Sequence, residues 1–239
     1  MAKAISRRTL VRNSLATTLL AAAPVLAAVP ISAEAPKSAA APAGRKRLQL
    51  EEAGPMIPPV PAILLTVNGM EPGLDEISVV WTFVINGKPP QIGISVENVH
   101  VALPMIRHHG EFVLNVPTVG MIKAFDRVDM NSTKVKDKFE FSGLTREPAR
   151  LVGAPAIKES PIHVECKVFS TIEVPPIRTV FFAEVVATSV LDGVCDENGK
   201  LLVDDVPFFG MTAGSGEFYA MGEKVGHIGK SVGRSDIKY

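Results

Sequence analysis

The stretch that decides the fold is Ile77-Ser78-Val79-Val80-Trp81-Thr82-Phe83-Val84, which is followed after a short turn by Gln91-Ile92-Gly93-Ile94-Ser95-Val96. Both runs are rich in β-branched and aromatic residues, and Gly, Pro and Asn separate them, which is typical of two β-strands. Similar runs predict four further strands, over residues 62–67, 111–116, 163–173 and 179–191. Apolar residues at helical spacing predict two short helices, over residues 99–109 and 118–130. The chain is therefore expected to be mainly β, a barrel or sandwich with a few short helices.

Charge is distributed unevenly along the 239 residues. Residues 1–47 contain eight Lys or Arg and one acidic residue, whereas residues 48–239 contain seventeen Lys or Arg and twenty-four Asp or Glu. This second part is acidic and lacks the clustered Lys and Arg that nucleic-acid phosphates and anionic membranes require. We therefore expect no nucleic-acid partner.

The N-terminus has the layout of an export signal, with Arg7-Arg8 between Ser6 and Leu10, a moderately apolar run over residues 15–28 and small residues after it. That run is too short to predict a stable membrane span in the mature protein. The arginine pair resembles the twin-arginine signal, which implies export of a folded, cofactor-loaded protein to the periplasm or another extracytoplasmic location. An ordinary secretory signal is the alternative. The predicted organisation is a signal peptide over residues 1–33, an Ala/Pro-rich linker or arm over 34–59 and one domain over 60–239.

Several classes of site are not indicated by the sequence. Cys166 and Cys195 are the only cysteines, so neither a disulfide framework nor a Cys-based zinc site is expected. They are interpreted as two thiols, with a single bridge as the alternative. Neither a dinucleotide-binding Gly motif nor a phosphate-binding P-loop occurs. No metal site and no catalytic residue are predicted.

Three blocks of sequence carry a more specific signal. They are Ile77 to Thr82 with Pro89-Pro90-Gln91-Ile92-Gly93-Ile94-Ser95, then Glu111-Phe112-Val113-Leu114-Asn115-Val116-Pro117, then Asp137-Lys138-Phe139 with Gly143-Leu144-Thr145. In order and spacing they resemble the flavin reductase-like (flavoredoxin-type) FMN-binding split-barrel family, over about residues 60–225. The resemblance implies a split β-barrel and an oxidoreductase that binds FMN noncovalently at a homodimer interface. It also implies a small-molecule or protein redox partner, with NADH or NADPH as a candidate electron donor.

The resemblance also assigns cofactor-binding residues, in four groups. Residues 78–82 contact the flavin, residues 95–100 form the phosphate turn, residues 115–117 lie near the flavin, and a lysine reaches its phosphate or ring edge. The predicted residues are Ser78, Val79, Val80, Trp81, Thr82, Ser95, Asn98, His100, Asn115, Val116, Pro117, Lys138 and Arg178. The sequence departs from the family at Asn98 and His100, which replace an expected Arg and Thr, and Arg178 replaces a frequent histidine.

Each assigned side chain also has a structural interpretation. Taken alone, Trp81 is equally typical of a core aromatic, and His100 is equally typical of a surface histidine. Asn115 has the alternative role of a turn residue, and Lys138 has that of a lysine on a solvated face. For the whole chain, the alternative function is a redox-silent flavin-binding or assembly protein on the same barrel.

Overall fold

The structure, a computed structural model, describes Gly44, Lys46 and residues 48–131 and 137–234. Contacts divide the chain into two compact units, and the unit that contains Lys46–His227 carries every strand and α-helix described below. The described part of the other unit is Gly44 and residues 228–234, with a short 3-10 helix at Lys230–Val232. The proposed signal peptide lies outside the described residues. No helix in the described part of the chain is long and apolar enough to cross a membrane.

The unit Lys46–His227 is mainly β. Its strands are β1 (Val60–Pro61), β2 (Leu64–Val67), β3 (Glu76–Val79), β4 (Trp81–Gly87), β5 (Pro90–Glu97), β6 (Glu111–Val116), β7 (Arg146–Glu147), β8 (Ala156–Ile157), β9 (Ile162–Val174), β10 (Arg178–Val190), β11 (Phe209–Met211) and β12 (Phe218–Ala220). Its α-helices are α1 (Ala102–His109), α2 (Ile122–Met130) and α3 (Lys138–Ser142), and a 3-10 turn at Val119–Met121 precedes α2.

One large antiparallel sheet has the strand order β3-β2-β6-β9-β10-β5-β4. Its two edge strands, β3 and β4, are consecutive in the chain and are separated only by Val80. Because adjacent Cα atoms are about 3.8 Å apart, the two edges must meet at Val80, so the sheet closes there into a barrel. Away from this point β3 pairs only with β2, and β4 pairs only with β5.

Strand β2 shows how alternation builds the core. Leu65 and Val67 pack in one cluster with α1 and the sheet, whereas Leu64, on the opposite side of the strand, packs in a second cluster with α2 and α3. All three side chains are fully buried. Burial of each contributes about 1.5–3 kcal/mol. The sheet therefore has a filled interior and an outer face covered by the two later helices.

The predicted strands and helices are confirmed, with one informative difference. Residues 77–84 were expected to form one strand, but the structure has two, because Val80 is buried in the core where the chain passes from one sheet edge to the other. Helix α3 and strands β11 and β12 were not predicted, since each has five residues or fewer and shows no measurable periodicity.

Candidate functional site

A small cavity lies where β3, the start of α1, the end of α2 and the start of α3 come together. It encloses about 30 Å³ and is lined by Ser78, Val79, His100, Val101, Val128, Asp129, Asn131 and Lys138. We call it the Lys138 cavity. It brings together four of the predicted residues, Ser78, Val79, His100 and Lys138, from three separate blocks of sequence. A volume of this size accommodates two water molecules or a comparably small polar group.

Lys138 is the first residue of α3 and is buried, so it does not lie on a solvated face. The carboxylate of Asp137 caps this helix, accepting hydrogen bonds from the backbone N–H groups of Phe139 (2.9 Å) and Glu140 (3.2 Å). The cap fixes the helix start, from which Lys138 Nζ reaches inward, forms an ion pair with Glu76 and donates to the Ile77 carbonyl at 3.0 Å. The ammonium is thus held against β3, beside the cavity.

Glu76 is the partner that the sequence analysis missed. It is buried at the start of β3, and Ser78 Oγ donates to its carboxylate at 3.2 Å. Glu76 and Ser78 share a face because side chains alternate along a strand. Two polar residues at i, i+2 in an apolar strand were the sequence signal available for Glu76. Its pairing with Lys138 spans 62 residues and cannot be read from one sequence.

His100 lies between β5 and α1, and its side chain is part of the cavity lining. Its Nδ1 atom is buried and has no hydrogen-bond partner, while Nε2 is 3.9 Å from the carboxylate of Glu97. Burial lowers the pKa of His100, and the positive charges of Lys138 and Arg178 act in the same direction. The imidazole is therefore neutral near pH 7.

Asp129 is a second cavity residue that the sequence analysis missed. It lies at the end of α2 and remains exposed to solvent at the cavity wall. Partial burial raises the pKa of Asp129, the charge of Asp126 adds to the rise, and the proximity of His100 opposes it. Asp129 lies on the exposed face of its helix, so the sequence does not indicate that it lines a cavity shared with other elements.

A second group of predicted residues, which we call the Trp81 cluster, lies on the β4-β5-β10 side of the sheet. It consists of Trp81, Ser95 and Arg178. The Arg178 guanidinium lies over the Trp81 ring at 4.0 Å from its centroid and donates to the Ser95 carbonyl at 3.4 Å. Trp81 is 37 % exposed, so it is not a core aromatic. An apolar ring and a cation are thus presented together on an open surface.

Glu97 connects the two groups of residues. Arg178 Nη2 donates to Glu97 Oε1 at 2.6 Å, while Glu97 Oε2 is 3.9 Å from His100 Nε2. The Lys138 cavity and the Trp81 cluster are therefore neighbouring parts of one polar surface.

Other predicted residues are used within the fold. The Asn98 side chain accepts a hydrogen bond from Thr179 (2.8 Å), and Thr82 donates to the Gly93 carbonyl (3.1 Å). Val80 is buried in the core, so its side chain does not face the Lys138 cavity. These residues position the strands that carry the site, and their contact with a flavin stays a prediction.

The structure does not bring Asn115 into the Lys138 cavity. Its side-chain amide donates to the Leu64 carbonyl and to Thr66 Oγ1, each at 3.0 Å, and accepts from the Ile157 N–H at 2.8 Å. It is completely buried, because β6 is a central strand between β2 and β9. Val116 and Pro117, which follow it, do not line the cavity either. The side chain of Asn115 joins β2, β6 and β8.

In the described part of the chain, neither the cysteines nor a group of metal ligands forms a further centre. Both cysteines are free, and burial raises the pKa of Cys166 to about 12, with the charge of Glu165 adding to the effect. Within residues 48–131 and 137–234, no group of three His, Cys, Asp or Glu side chains is placed to hold a metal ion.

Comparison with known proteins gives a consistent result. Residues 58–205 match the flavin reductase like domain. An uncharacterized protein of Pyrococcus abyssi is 28% identical over 123 residues, which cover 52% of this chain and 70% of that relative. Flavoredoxin of Desulfovibrio vulgaris (Miyazaki F) has a similar fold, with a TM-score of 0.70 at 24% identity over 76% of this chain and 97% of that one. For flavoredoxin from Methanosarcina acetivorans the TM-score is 0.70 at 25% identity, over 79% and 100% of the two chains.

The sheet that closes at Val80, the covering helices and these likenesses define a split-barrel protein. The chain belongs to the flavin reductase like domain family, whose match covers more than half of its length.

The residues present fit the phosphate of a flavin mononucleotide. A phosphate accepts hydrogen bonds, and the ammonium of Lys138 keeps one N–H group after its bonds to Glu76 and to the Ile77 carbonyl. His100, whose buried Nδ1 atom has no partner, also lines the cavity. The N-terminal end of α1, at Val101, also lines the cavity, and helix N-termini favour anions. Among the described residues that line the cavity, Asp129 alone has a charge that opposes a phosphate.

Proposed function

We propose that this protein is an FMN-binding flavoprotein oxidoreductase whose Lys138 cavity receives the phosphate of the cofactor. The observation that carries the proposal is the buried Nδ1 atom of His100, which lacks a hydrogen-bond partner beside Lys138 and Ser78. Buried polar atoms are nearly always hydrogen-bonded, so an unpaired one in a residue that lines a cavity supports a ligand there.

The flavin ring needs a different surface, because a cavity of about 30 Å³ is far too small for a three-ring system. We assign ring contacts to the backbone of residues 78–82 and to Trp81, whose half-exposed side chain supplies an apolar face. When bound, FMN supplies the transfer of electrons or a hydride. The chain binds the phosphate, orients the ring and limits its contact with water.

A second copy of the chain completes this open site in our proposal. Large apolar side chains are exposed along edge strand β4 (Phe83, Val84 and Ile85) and on the outer half of β9 (Phe169 and Ile172). Strands β5 and β10 separate β4 from β9 in the sheet. Exposed large apolar side chains on a sheet are typical of protein interfaces. Light scattering should give the mass of a dimer, and Phe83→Asp should shift it toward a monomer, whereas Val99→Asp, at an exposed site outside these strands, should not.

The cellular location is also proposed, on the sequence of the N-terminus alone. Arg7-Arg8 and the moderately apolar run that follows favour export by the twin-arginine route. NADH and NADPH are scarce outside the cytoplasm, so a small-molecule or protein redox partner there is the expected source or acceptor of electrons.

The test is a spectrum followed by a reduction. The purified protein, reconstituted with FMN, should show a flavin absorbance that bleaches anaerobically with NADH, NADPH or a chemical reductant. Bleaching by the chemical reductant only would favour electron transfer with another partner, while bound flavin that no reductant bleaches would favour the redox-silent alternative. Absence of bound flavin after reconstitution would contradict the proposal.

Variants test the phosphate contact. Lys138→Ala should weaken FMN binding by about tenfold to a hundredfold, the value of a charge-assisted hydrogen bond, and should leave riboflavin binding unchanged. Lys123→Ala, on the exposed face of α2, is the matched control. Ser78→Ala removes a smaller contact and serves as a second variant if Lys138→Ala impairs folding. Equal loss for FMN and riboflavin would contradict the phosphate assignment.

A further inference from the structure

The charges around the Lys138 cavity do not balance a phosphate dianion. The charge of Lys138 is already offset by Glu76, with which it forms a buried ion pair. Asp129 adds a negative charge, and the C-terminal end of α2, to which it belongs, carries a partial negative charge of its own. An FMN phosphate adds about −1.5 to −2. With a neutral His100, the residues that the structure describes around the filled cavity leave a negative charge uncompensated.

His100 is the group able to change that balance. Its Nδ1 atom faces buried surroundings without a partner, and its Nε2 atom approaches Glu97 at 3.9 Å. As imidazolium both of its nitrogens are donors, and one added proton supplies a positive charge beside the ligand. No other cavity residue has an ordinary pKa near neutrality.

We propose that binding of FMN to the Lys138 cavity takes up one proton, which His100 carries, so that preference for FMN over riboflavin is lost as the pH rises. The inference rests on the proposed function and concerns how the same site recognises its ligand. It follows from the geometry of the cavity. His100 lines the cavity and has an unpaired buried nitrogen, an ion pair with Glu76 offsets the charge of Lys138, and the carboxylate of Asp129 lies at the wall.

The direction of the pH dependence follows from the linkage between proton uptake and FMN binding. Burial holds the pKa of His100 below its ordinary value in the free protein, and a phosphate beside the ring raises it in the complex. Binding is therefore strongest below the pKa of the free protein, weakens between the two pKa values and levels off above the pKa of the complex. Between the two pKa values, the dissociation constant rises by up to about tenfold per pH unit for one proton.

Charged groups from four neighbouring elements act on His100. Glu97 of β5 and Asp129 of α2 raise its pKa, while Lys138 of α3 and Arg178 of β10 lower it. Asp126 influences the pKa of Asp129. Of these groups only His100 has an ordinary pKa near 6.5, but the FMN phosphate itself titrates near pH 6. Wild type and variants must therefore be compared on the same ligand.

The experiment measures dissociation constants of FMN and riboflavin from pH 6 to 9 with the full chain, by flavin fluorescence at constant ionic strength. In wild type, the FMN constant should rise by up to about tenfold per pH unit over part of this range, with riboflavin nearly unaffected. In His100→Gln, the FMN dissociation constant should keep only the pH dependence that comes from titration of the phosphate itself. His108→Gln, an exposed histidine of α1, is the matched control and should keep the wild-type slope.

Two further measurements sharpen the test. Calorimetry in buffers of different ionisation enthalpy should show uptake of about one proton with FMN at pH 7 and none with riboflavin. Asp129→Asn should tighten FMN binding at pH 8 without affecting riboflavin, whereas Asp126→Asn, on the same helix but outside the cavity, should have little effect.

The outcomes separate the two proposals. If neither flavin binds, the proposed function fails and the inference falls with it. If FMN binds and His100→Gln has the wild-type pH slope, or no proton is taken up, the coupling is refuted while the function stands.

Discussion

The buried pair Glu76–Lys138 leads to a sharp prediction about stability. Their side chains are only 9% and 7% exposed, and Lys138 also donates to the Ile77 carbonyl. Lys138→Met removes the cation and leaves a buried carboxylate with Ser78 as its remaining partner. Breaking a buried pair on one side costs about 3–5 kcal/mol, so the single variant should lose that much free energy of unfolding.

The double variant Glu76→Leu/Lys138→Met separates this cause from a general loss of packing. Replacing both partners removes the unpaired charge, so the double variant should recover most of the loss and lie within about 2 kcal/mol of wild type. Urea unfolding followed by circular dichroism measures all three proteins and the single Glu76→Leu. Additive losses, or a loss under 1 kcal/mol in Lys138→Met, would refute the reasoning.

Three further predictions concern residues outside the Lys138 cavity. Glu165→Gln should lower the free energy of unfolding by about 2–3 kcal/mol, because its buried carboxylate accepts three backbone N–H groups of residues 150–152. With its pKa at about 12, Cys166 should resist thiol reagents in the native protein, where Cys195 reacts, and both should react in denaturant. Burial raises the pKa of Asp137, but its hydrogen bonds outweigh this effect and lower the pKa overall. Asp137→Ala should therefore reduce the free energy of unfolding by roughly 1 kcal/mol at pH 7. In acid unfolding this difference should become smaller below about pH 4.

Local pattern predicted most of the fold. Strand β6 was predicted at its observed bounds, and the β9–β10 hairpin within one residue at each end, because long runs of β-branched residues depend little on context. The break at Val80 was not predictable in this way. It depends on which strands pair with β3 and β4, and periodicity contains no information about partners.

The resemblance indicated part of the Lys138 cavity, and contact of these residues with a flavin stays a prediction. The resemblance selected Ser78, His100 and Lys138, which the structure places around one cavity. It did not select Asp129, which lines the cavity from α2, or Glu76, which pairs with Lys138, because both relations depend on tertiary contacts. Asn115 lies in one of the three quoted blocks, but its side chain joins strands and does not line the cavity.

The central claim is that the Lys138 cavity holds the phosphate of FMN, and a crystal structure of the complex tests it most directly. The account predicts phosphate oxygens within hydrogen-bond distance of Lys138 Nζ and His100 Nδ1. A flavin whose phosphate lies outside this cavity, with His100 Nδ1 still unpaired, would contradict it.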